Sequence, residues 1–593
     1  MRLDARRLGA RTASFGSPLG ASVRRSRALF GSLEWVQLWI MGPRAGKTSC
    51  VGVRQILETD GPVLATSNKR DIVDLTRGPR CEVGAVWVND LQGLVGEEPT
   101  WWWNPLSYVV DVAHADQLAG LFAAATRESG ARADAYFDGA GAGAGKNLLS
   151  ALLLAAAVAG EPIHTVYSWL STPDGFEPVE HLRAAGHHLP AQALEGAIRL
   201  TPNQRDGVFG TALEMASFLR NTQLLPWVTP LGPGDSRPQF DPAGFVRSRQ
   251  ALYLISREGR GSARALTAAL TVAVVEAGED LAATQPRGRL AVPLTCVLDE
   301  AANICRWPEL PDLYSHYGSR GIIVSTFLQS WSQGVQVWGR EGMDKLWSAA
   351  NIRGVGSGVG EPEFLDRISR LVGDHDVLTR DQSRSRGGRS VSTRNRRERI
   401  LETADLAALP RGRAVVFVSG LPPVLLKLVH WSDTPYAQNV QDSEEHYGSL
   451  APGRSRERPG LGRRAQQRRR PRHPGQALLR QRRRVRPDVP PAELAPQTTQ
   501  RLLVLPLVGT RRSDQPPRSA VGVLGEAPAR TRHRHGHLVA RLRRPPHGRP
   551  DRPRHRPLHQ MRLHQERPRD TADLASEQPP AGLFRDANQE QTH

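Results

Sequence analysis

Gly42-Pro43-Arg44-Ala45-Gly46-Lys47-Thr48-Ser49 is the stretch on which the fold turns. An apolar run, Trp35 to Met41, precedes it, and Ser49 to Leu57 can form a helix. Strand, glycine turn, Gly-Lys-Thr and helix is the order of a P-loop. The backbone N–H groups of such a turn wrap phosphates, and the helix N-terminus adds its positive end. Lys47 would sit on the β- and γ-phosphates of ATP, and the Thr48 hydroxyl would ligate Mg2+. The cofactor-binding set is therefore Gly42, Pro43, Arg44, Ala45, Gly46, Lys47, Thr48 and Ser49. The spacing departs from the usual pattern, because Met41 stands where the first glycine belongs and Gly42 comes one residue late. The competing reading is a chance Gly-Lys-Thr on a surface turn.

Val292-Pro293-Leu294-Thr295-Cys296-Val297-Leu298-Asp299-Glu300 is an apolar run ending in two carboxylates, the form of a Walker B strand. Buried parallel strands are apolar throughout, and open α/β sheets place ligands at the carboxyl ends of their strands. Asp299 would hold the magnesium shell, and Glu300 would orient or deprotonate the attacking water. Alone, such a run is usually a strand followed by a solvated turn. Behind a Gly-Lys-Thr turn in the same chain it points to a nucleotide hydrolase.

The 593 residues carry a net charge of +20. Residues 448–593 hold 32 arginines, no lysine and 12 acids, which accounts for all of it. The other residues balance, so a DNA-binding surface in the folded part must come from local patches. Cys50, Cys81, Cys296 and Cys305 have no metal-ligand spacing and read as reduced thiols. No run reaches the roughly 18 apolar residues of a membrane span, so the chain is expected to be soluble as written.

The order along the chain predicts an α/β fold. It is a RecA-like P-loop ATPase with a parallel-rich central sheet, an inserted all-α domain and a disordered basic C-terminal tail. Residues 1–30 read as a flexible lead-in. Residues 31–106 and 249–447 form the split nucleotide-binding domain, and residues 107–248 the helical insert. Within the insert, Gly139 to Asn147 imitates a second P-loop, but Asn147 replaces the hydroxyl and no strand precedes it, so it reads as a glycine-rich turn. Trp101-Trp102-Trp103 cannot all face one side of a strand, and structural packing competes with DNA stacking there. Val424 to Trp431 reads as a last, edge strand. Arg380 to Arg399, with eight arginines, reads as a mobile loop, either solvated or gripping phosphates. The tail at 448–593 reads as low-complexity, disordered or frameshifted sequence, because its missing residue types are largely those with AT-rich codons.

From about Leu33 to Tyr447 the chain resembles the type IV secretion coupling proteins of the TraG/TraD class, in their actinobacterial form. The stretches that carry this are Gly42 to Thr48, Ala65-Thr66-Ser67-Asn68-Lys69-Arg70-Asp71, Trp103-Asn104-Pro105-Leu106 and Asp299-Glu300-Ala301-Ala302-Asn303. Tyr317-Gly318-Ser319-Arg320-Gly321-Ile322, running on to Phe327-Leu328-Gln329-Ser330, is the longest. A shortened Gly-Pro-Arg-x-Gly-Lys-Thr loop is common in that branch. The resemblance implies an ATPase using ATP and Mg2+ that assembles as a homo-hexamer at the cytoplasmic face of the plasma membrane. Its partners would be single-stranded DNA with a relaxase and the type IV secretion machinery. It also implies that Gln329 senses the γ-phosphate and that Arg320 is an arginine finger toward a neighbouring subunit. With Lys47 and Glu300 these form the catalytic set, Thr48 and Asp299 the metal set, and Lys69 is placed at the nucleotide end by position. The family's N-terminal membrane helices have no counterpart here, so membrane association is expected through partners or a missing anchor. Two other readings stay open: an FtsK- or HerA-like double-stranded DNA translocase, and a non-translocating ATP-binding relic or adaptor.

Overall fold

Short apolar runs, most of them buried on both faces, build one large sheet. The computed structural model describes residues 16–449 other than 25, 127–139, 258–262 and 386–387. Its strands are β1 Ser17–Ser22, β2 Ala28–Gly31, β3 Gln37–Ile40, β4 Val63–Ser67, β5 Val86–Asp90, β6 Ala251–Ile255, β7 Leu294–Leu298, β8 Ile322–Leu328, β9 Ile352–Gly356, β10 Asp374–Ser385, β11 Gly388–Arg399, β12 Arg413–Val418 and β13 Val424–Lys427. Eleven of them form one sheet in the order β2-β1-β13-β12-β9-β3-β8-β7-β4-β6-β5. From β9 to β5 every pairing is parallel, and beyond β9 the pairings are antiparallel. The parallel strands β3 to β8 are buried at every position, as expected where helices cover both faces.

Close packing fixes the centre. Trp39 of β3 lies on Phe327 of β8 with ring centroids 6.5 Å apart. On the other side Gly354 of β9 faces the Trp39 ring so closely that a Cβ there would stand 2.1 Å from it. A side chain at 354 would displace the indole, so glycine is required by approach rather than by backbone angle.

β5 and β6 are parallel neighbours, yet residues 91–250 lie between them. The described part of this excursion is helical: Val112–Thr126, Ala140–Ala159, His164–Leu170, Glu177–Ala184, His188–Ile198 and Pro202–Met215. Its base is an aromatic seam. Trp101 meets Trp87 of β5 edge-on at 5.4 Å and Trp227 at 5.8 Å, and its indole N–H donates to Val88 O at 3.1 Å. Trp101 and Trp103 are buried and pack into the core, while Trp102 is half-buried and its backbone bridges to Gln239. Among the described residues no helix is long and apolar enough to cross a membrane.

Several expectations need correction. The lead-in is structured from residue 16: β1 and β2 form a hairpin, and β1 joins the sheet through Ala21↔Lys427 and Ser22↔Leu426. Such Gly- and Ser-containing strands have no periodic signal of their own and are fixed by distant pairing. β13 is therefore not an edge, since it pairs with both β12 and β1. The Gly139–Asn147 imitation is not a turn, because helix Ala140–Ala159 runs through it. A Cβ at Gly145 would approach Thr211 to 2.9 Å, so the small residue admits helix Pro202–Met215, and Lys146 pairs with Asp116 at 3.1 Å. The arginine-rich segment is not a loop: Asp374–Ser385 and Gly388–Arg399 pair as a two-stranded ribbon. Helix Ala437–Gly448 packs on helix Asp71–Val83, where the Gly78 N–H donates to Ser443 Oγ at 2.9 Å. The expectations for residues 1–15 and for the tail from 450 lie outside the described residues.

Candidate active site

The carboxyl ends of β3, β8 and β7 lie side by side, and each contributes one part of a site. β3 delivers the glycine turn. Met41 N–H donates to Leu328 O and Gly42 N–H to Ser357 O, both at 3.0 Å, which anchors the turn to strands on either side. A Cβ on Gly42 would stand 2.2 Å from Gly358 O, so the late glycine is set by packing against the end of β9. Pro43 and Arg44 are exposed. Arg44 and Gly46 take positive φ, 59° and 95°, turning the backbone toward the helix start. Lys47–Gly52 begins as a π-helical turn and continues as helix Val53–Leu57.

β7 delivers the acids. Thr48 Oγ1 donates to Asp299 Oδ2 at 2.8 Å, and Thr66 Oγ1 from the end of β4 donates to the Asp299 carbonyl at 3.0 Å. Lys47 Nζ is ion-paired with Glu300 Oε1, both side chains being almost fully buried. Glu300 takes φ 54° and ψ 40°, a left-handed backbone that costs a non-glycine residue of order 1 kcal/mol. That bend turns its carboxylate from the strand end toward Lys47.

β8 lies between the other two and ends at Gln329. The Gln329 amide donates to both oxygens of Glu300 at 2.9 Å. Its own backbone is held, because Gln329 N–H donates to Gln333 Oε1 at 2.8 Å. Glu361 accepts from Trp331 N and Ser332 N at 2.7 and 2.8 Å, which caps helix Trp331–Ala349 directly behind Gln329.

Lys47, Thr48, Asp299, Glu300 and Gln329 are thus brought together. Arg320 is not. It stands just before β8, at the opposite end of a seven-residue strand, about 23 Å away at 3.3 Å per residue. There its guanidinium pairs with Glu279 at 3.2 Å. Lys69 follows β4 at the same sheet edge as the site. Sequence reasoning assigned no role to Thr66, Gln333 or Glu361. Thr66 lies in a quoted motif as a hydroxyl at a buried strand end, whereas nothing local marks the other two.

The site suits a hard divalent cation. Asp299 Oδ1 is buried without a hydrogen-bond partner, while Oδ2 is taken by Thr48. Among the described residues no cluster of three or more His, Cys, Asp or Glu could hold a metal. A partnerless buried carboxylate oxygen beside a hydroxyl fits a cation such as Mg2+, which takes one or two protein oxygens and completes its shell with phosphates and water. Thr48 and Asp299 would hold it, and it would neutralise phosphate charge.

Burial is the main cause that pushes the Asp299 carboxyl up to about 6, against the pull of the Lys47 ammonium and with the Glu300 charge adding to the rise. An unfolded aspartate titrates near ~3.9. Between those values the folded chain keeps a proton the unfolded chain has lost, so this group's contribution to stability falls as pH rises from about 4 to 6. A cation on the carboxylate favours the ionised form and opposes that fall. Mg2+ is therefore expected to raise the melting temperature at pH 7.5 and to have little effect at pH 5. Asp299→Asn should lose the response at pH 7.5. Scanning calorimetry checks this, and an equal Mg2+ shift at both pH values would place the cation elsewhere.

A glycine turn separated by one strand from its acidic pair, on a parallel sheet, is the arrangement of the RecA-like class, and the fold is of that class. Residues 293–411, from the start of β7 to just before β12, match the family described as the TraM recognition site of TraD and TraG. That span contains Asp299, Glu300 and Gln329. Among solved structures, it is similar to the bacterial conjugative coupling protein TrwBdeltaN70 in an unbound monoclinic form. That match has 17% identity and a TM-score of 0.49, and covers 71% of this chain and 91% of that one. The plasmid coupling protein TrwB in complex with the GTP analogue GDPNP matches at 18% identity and a TM-score of 0.48, over 66% and 85% of the chains. VirB4 of Thermoanaerobacter pseudethanolicus matches at 14% identity and a TM-score of 0.43, over 72% and 99%. A comparison with curated protein sequences finds no match.

Proposed function

We propose that the chain is an ATP-hydrolysing coupling protein of a type IV secretion or conjugation system, driving transfer of single-stranded DNA or a relaxase–DNA complex. The observation that carries the hydrolytic part is the junction of Lys47, Glu300 and Gln329 beside Thr48 and Asp299. In this reading the phosphates of ATP take Lys47 from Glu300, and the released carboxylate turns to the attacking water. Gln329, bonded to both oxygens of that carboxylate, couples its position to β8. The transfer role, the hexamer and the membrane setting rest on the TraG/TraD resemblance and on the family match over residues 293–411. The helices between β5 and β6 would form the substrate-recognising insert of that family. Any role of Arg320 in phosphate chemistry falls in a neighbouring copy, since its own site lies a strand's length away.

The test is ATP hydrolysis by the full chain alone, with single-stranded DNA and with duplex. Slow basal turnover raised more by single strands is the expected result. Greater stimulation by duplex would favour a double-stranded DNA translocase. Absence of hydrolysis in folded protein that binds ATP would favour an adaptor.

A further inference from the structure

The ribbon β10–β11 is used by nothing in the site. It leaves the body after helix Pro362–Val372, and its base is closed where Ile400 N–H donates to Gly373 O at 3.1 Å. Its register pairs Asp374 with Arg399 through to Ser385 with Gly388. Two-stranded ribbons without a third strand or a covering helix are marginal in water. Here the described side chains toward the base are mostly exposed, Leu378 at 72% among them, so no apolar core compensates.

Charge is graded along it. Three of its four acids, Asp374, Asp376 and Glu398, lie at the base. Arg397 and Arg399 share Asp374 at 3.3 and 3.5 Å, and Arg396 meets Glu398 at 3.4 Å. Arg396 and Arg397 are about three-quarters exposed, and such surface pairs exchange readily for other anions. Farther out, Arg394 opposes Thr379 and Arg380 opposes Thr393. Near the end of the pairing Arg384 and Arg389 occupy directly opposed positions.

We propose that this ribbon is a duplex-DNA-binding arm that grips the phosphate backbone, a proposal that deepens the DNA-transfer reading and takes DNA as substrate from it. The cations of the ribbon are all arginine, whose planar guanidinium matches phosphate bidentately. Serine and threonine fill much of the space between them and allow close backbone approach. Residues 374–399 hold no Phe, Tyr or Trp. Single-strand binders stack bases on such rings, so their absence favours a duplex, whose major groove admits a two-stranded ribbon.

The experiment measures binding of a labelled 30-base-pair duplex to the full chain without nucleotide, across 50–200 mM salt. It compares wild type with an Arg394→Gln/Arg396→Gln/Arg397→Gln variant and with the matching Arg→Lys variant. Each phosphate contact adds about 0.9 to the salt slope, so three lost contacts should flatten it by about 2.7. Over this fourfold range wild type should lose about 40-fold more affinity than the glutamine variant. The lysine variant should restore the slope, and a photo-cross-linker at position 395 should join the duplex. Equal slopes with no cross-link overturn the proposal and assign binding to another surface, the basic tail included. A cross-link competed away by acidic protein or by single strands, but not by excess duplex, also overturns it. The motor reading is judged separately. DNA-stimulated hydrolysis with an inert ribbon removes only the arm, and duplex gripped at position 395 without hydrolysis removes only the motor.

Discussion

Glu300→Gln protein is expected to bind ATP at least as tightly as wild type and to turn it over about 10²- to 10⁴-fold more slowly, the contribution typical of a positioned general base. Glutamine keeps the size of the side chain, and the Gln329 amide retains an oxygen to which it can donate. What disappears is the negative charge that holds Lys47 in the closed arrangement. The ammonium is then free for phosphate without first breaking an ion pair, so affinity is maintained or rises. Without nucleotide Lys47 keeps only the neighbouring Asp299 as countercharge, so ATP should raise the melting temperature more in this variant than in wild type. Single-turnover hydrolysis and calorimetry measure both effects. Near-native turnover would remove Glu300 from the chemistry.

Lys47→Ala is expected to abolish ATP binding and also to destabilise the protein without nucleotide, by about 3–5 kcal/mol, the usual cost of removing one partner of a buried pair. Glu300 is 2% exposed and would keep only the Gln329 amide. Adding Glu300→Gln to Lys47→Ala should recover part of that stability, since the Glu300 charge is then gone although Asp299 still lacks the Lys47 ammonium, while ATP binding stays absent. Chemical denaturation of the four proteins completes the cycle. Equal losses in Lys47→Ala and the double variant would show that the pair is not coupled in solution.

The parts of the site legible in the sequence are those whose chemistry is written locally. Lys47 and Thr48 follow their glycine, and Asp299 and Glu300 end their apolar run, so type and spacing sufficed. Gln329 was reached only through the family motif, because a glutamine after a buried strand has no signature of its own. Gln333 and Glu361 act through backbone groups whose places depend on the fold, and so left no trace. The parallel sheet was legible because its strands are apolar on both faces. β1 and the Arg380–Arg399 ribbon were not, for one reason: both are held by backbone pairing, while composition reports side chains. The glycine-rich imitation inside the insert misled about its own shape, since small residues permit a helix when a neighbour such as Thr211 presses against it.

The pairing of β1 with β13 also sets an order of events during synthesis. Ser22 must wait for Leu426 before its strand has a partner on that side. At about 5–20 residues per second the interval is roughly 20–80 s. Throughout that time β1 and β2 lack the third strand that would hold them. The glycine turn and its strand emerge before Asp299, Glu300 and Gln329, and the β1–β2 hairpin, made earlier still, is among the last pieces to be seated.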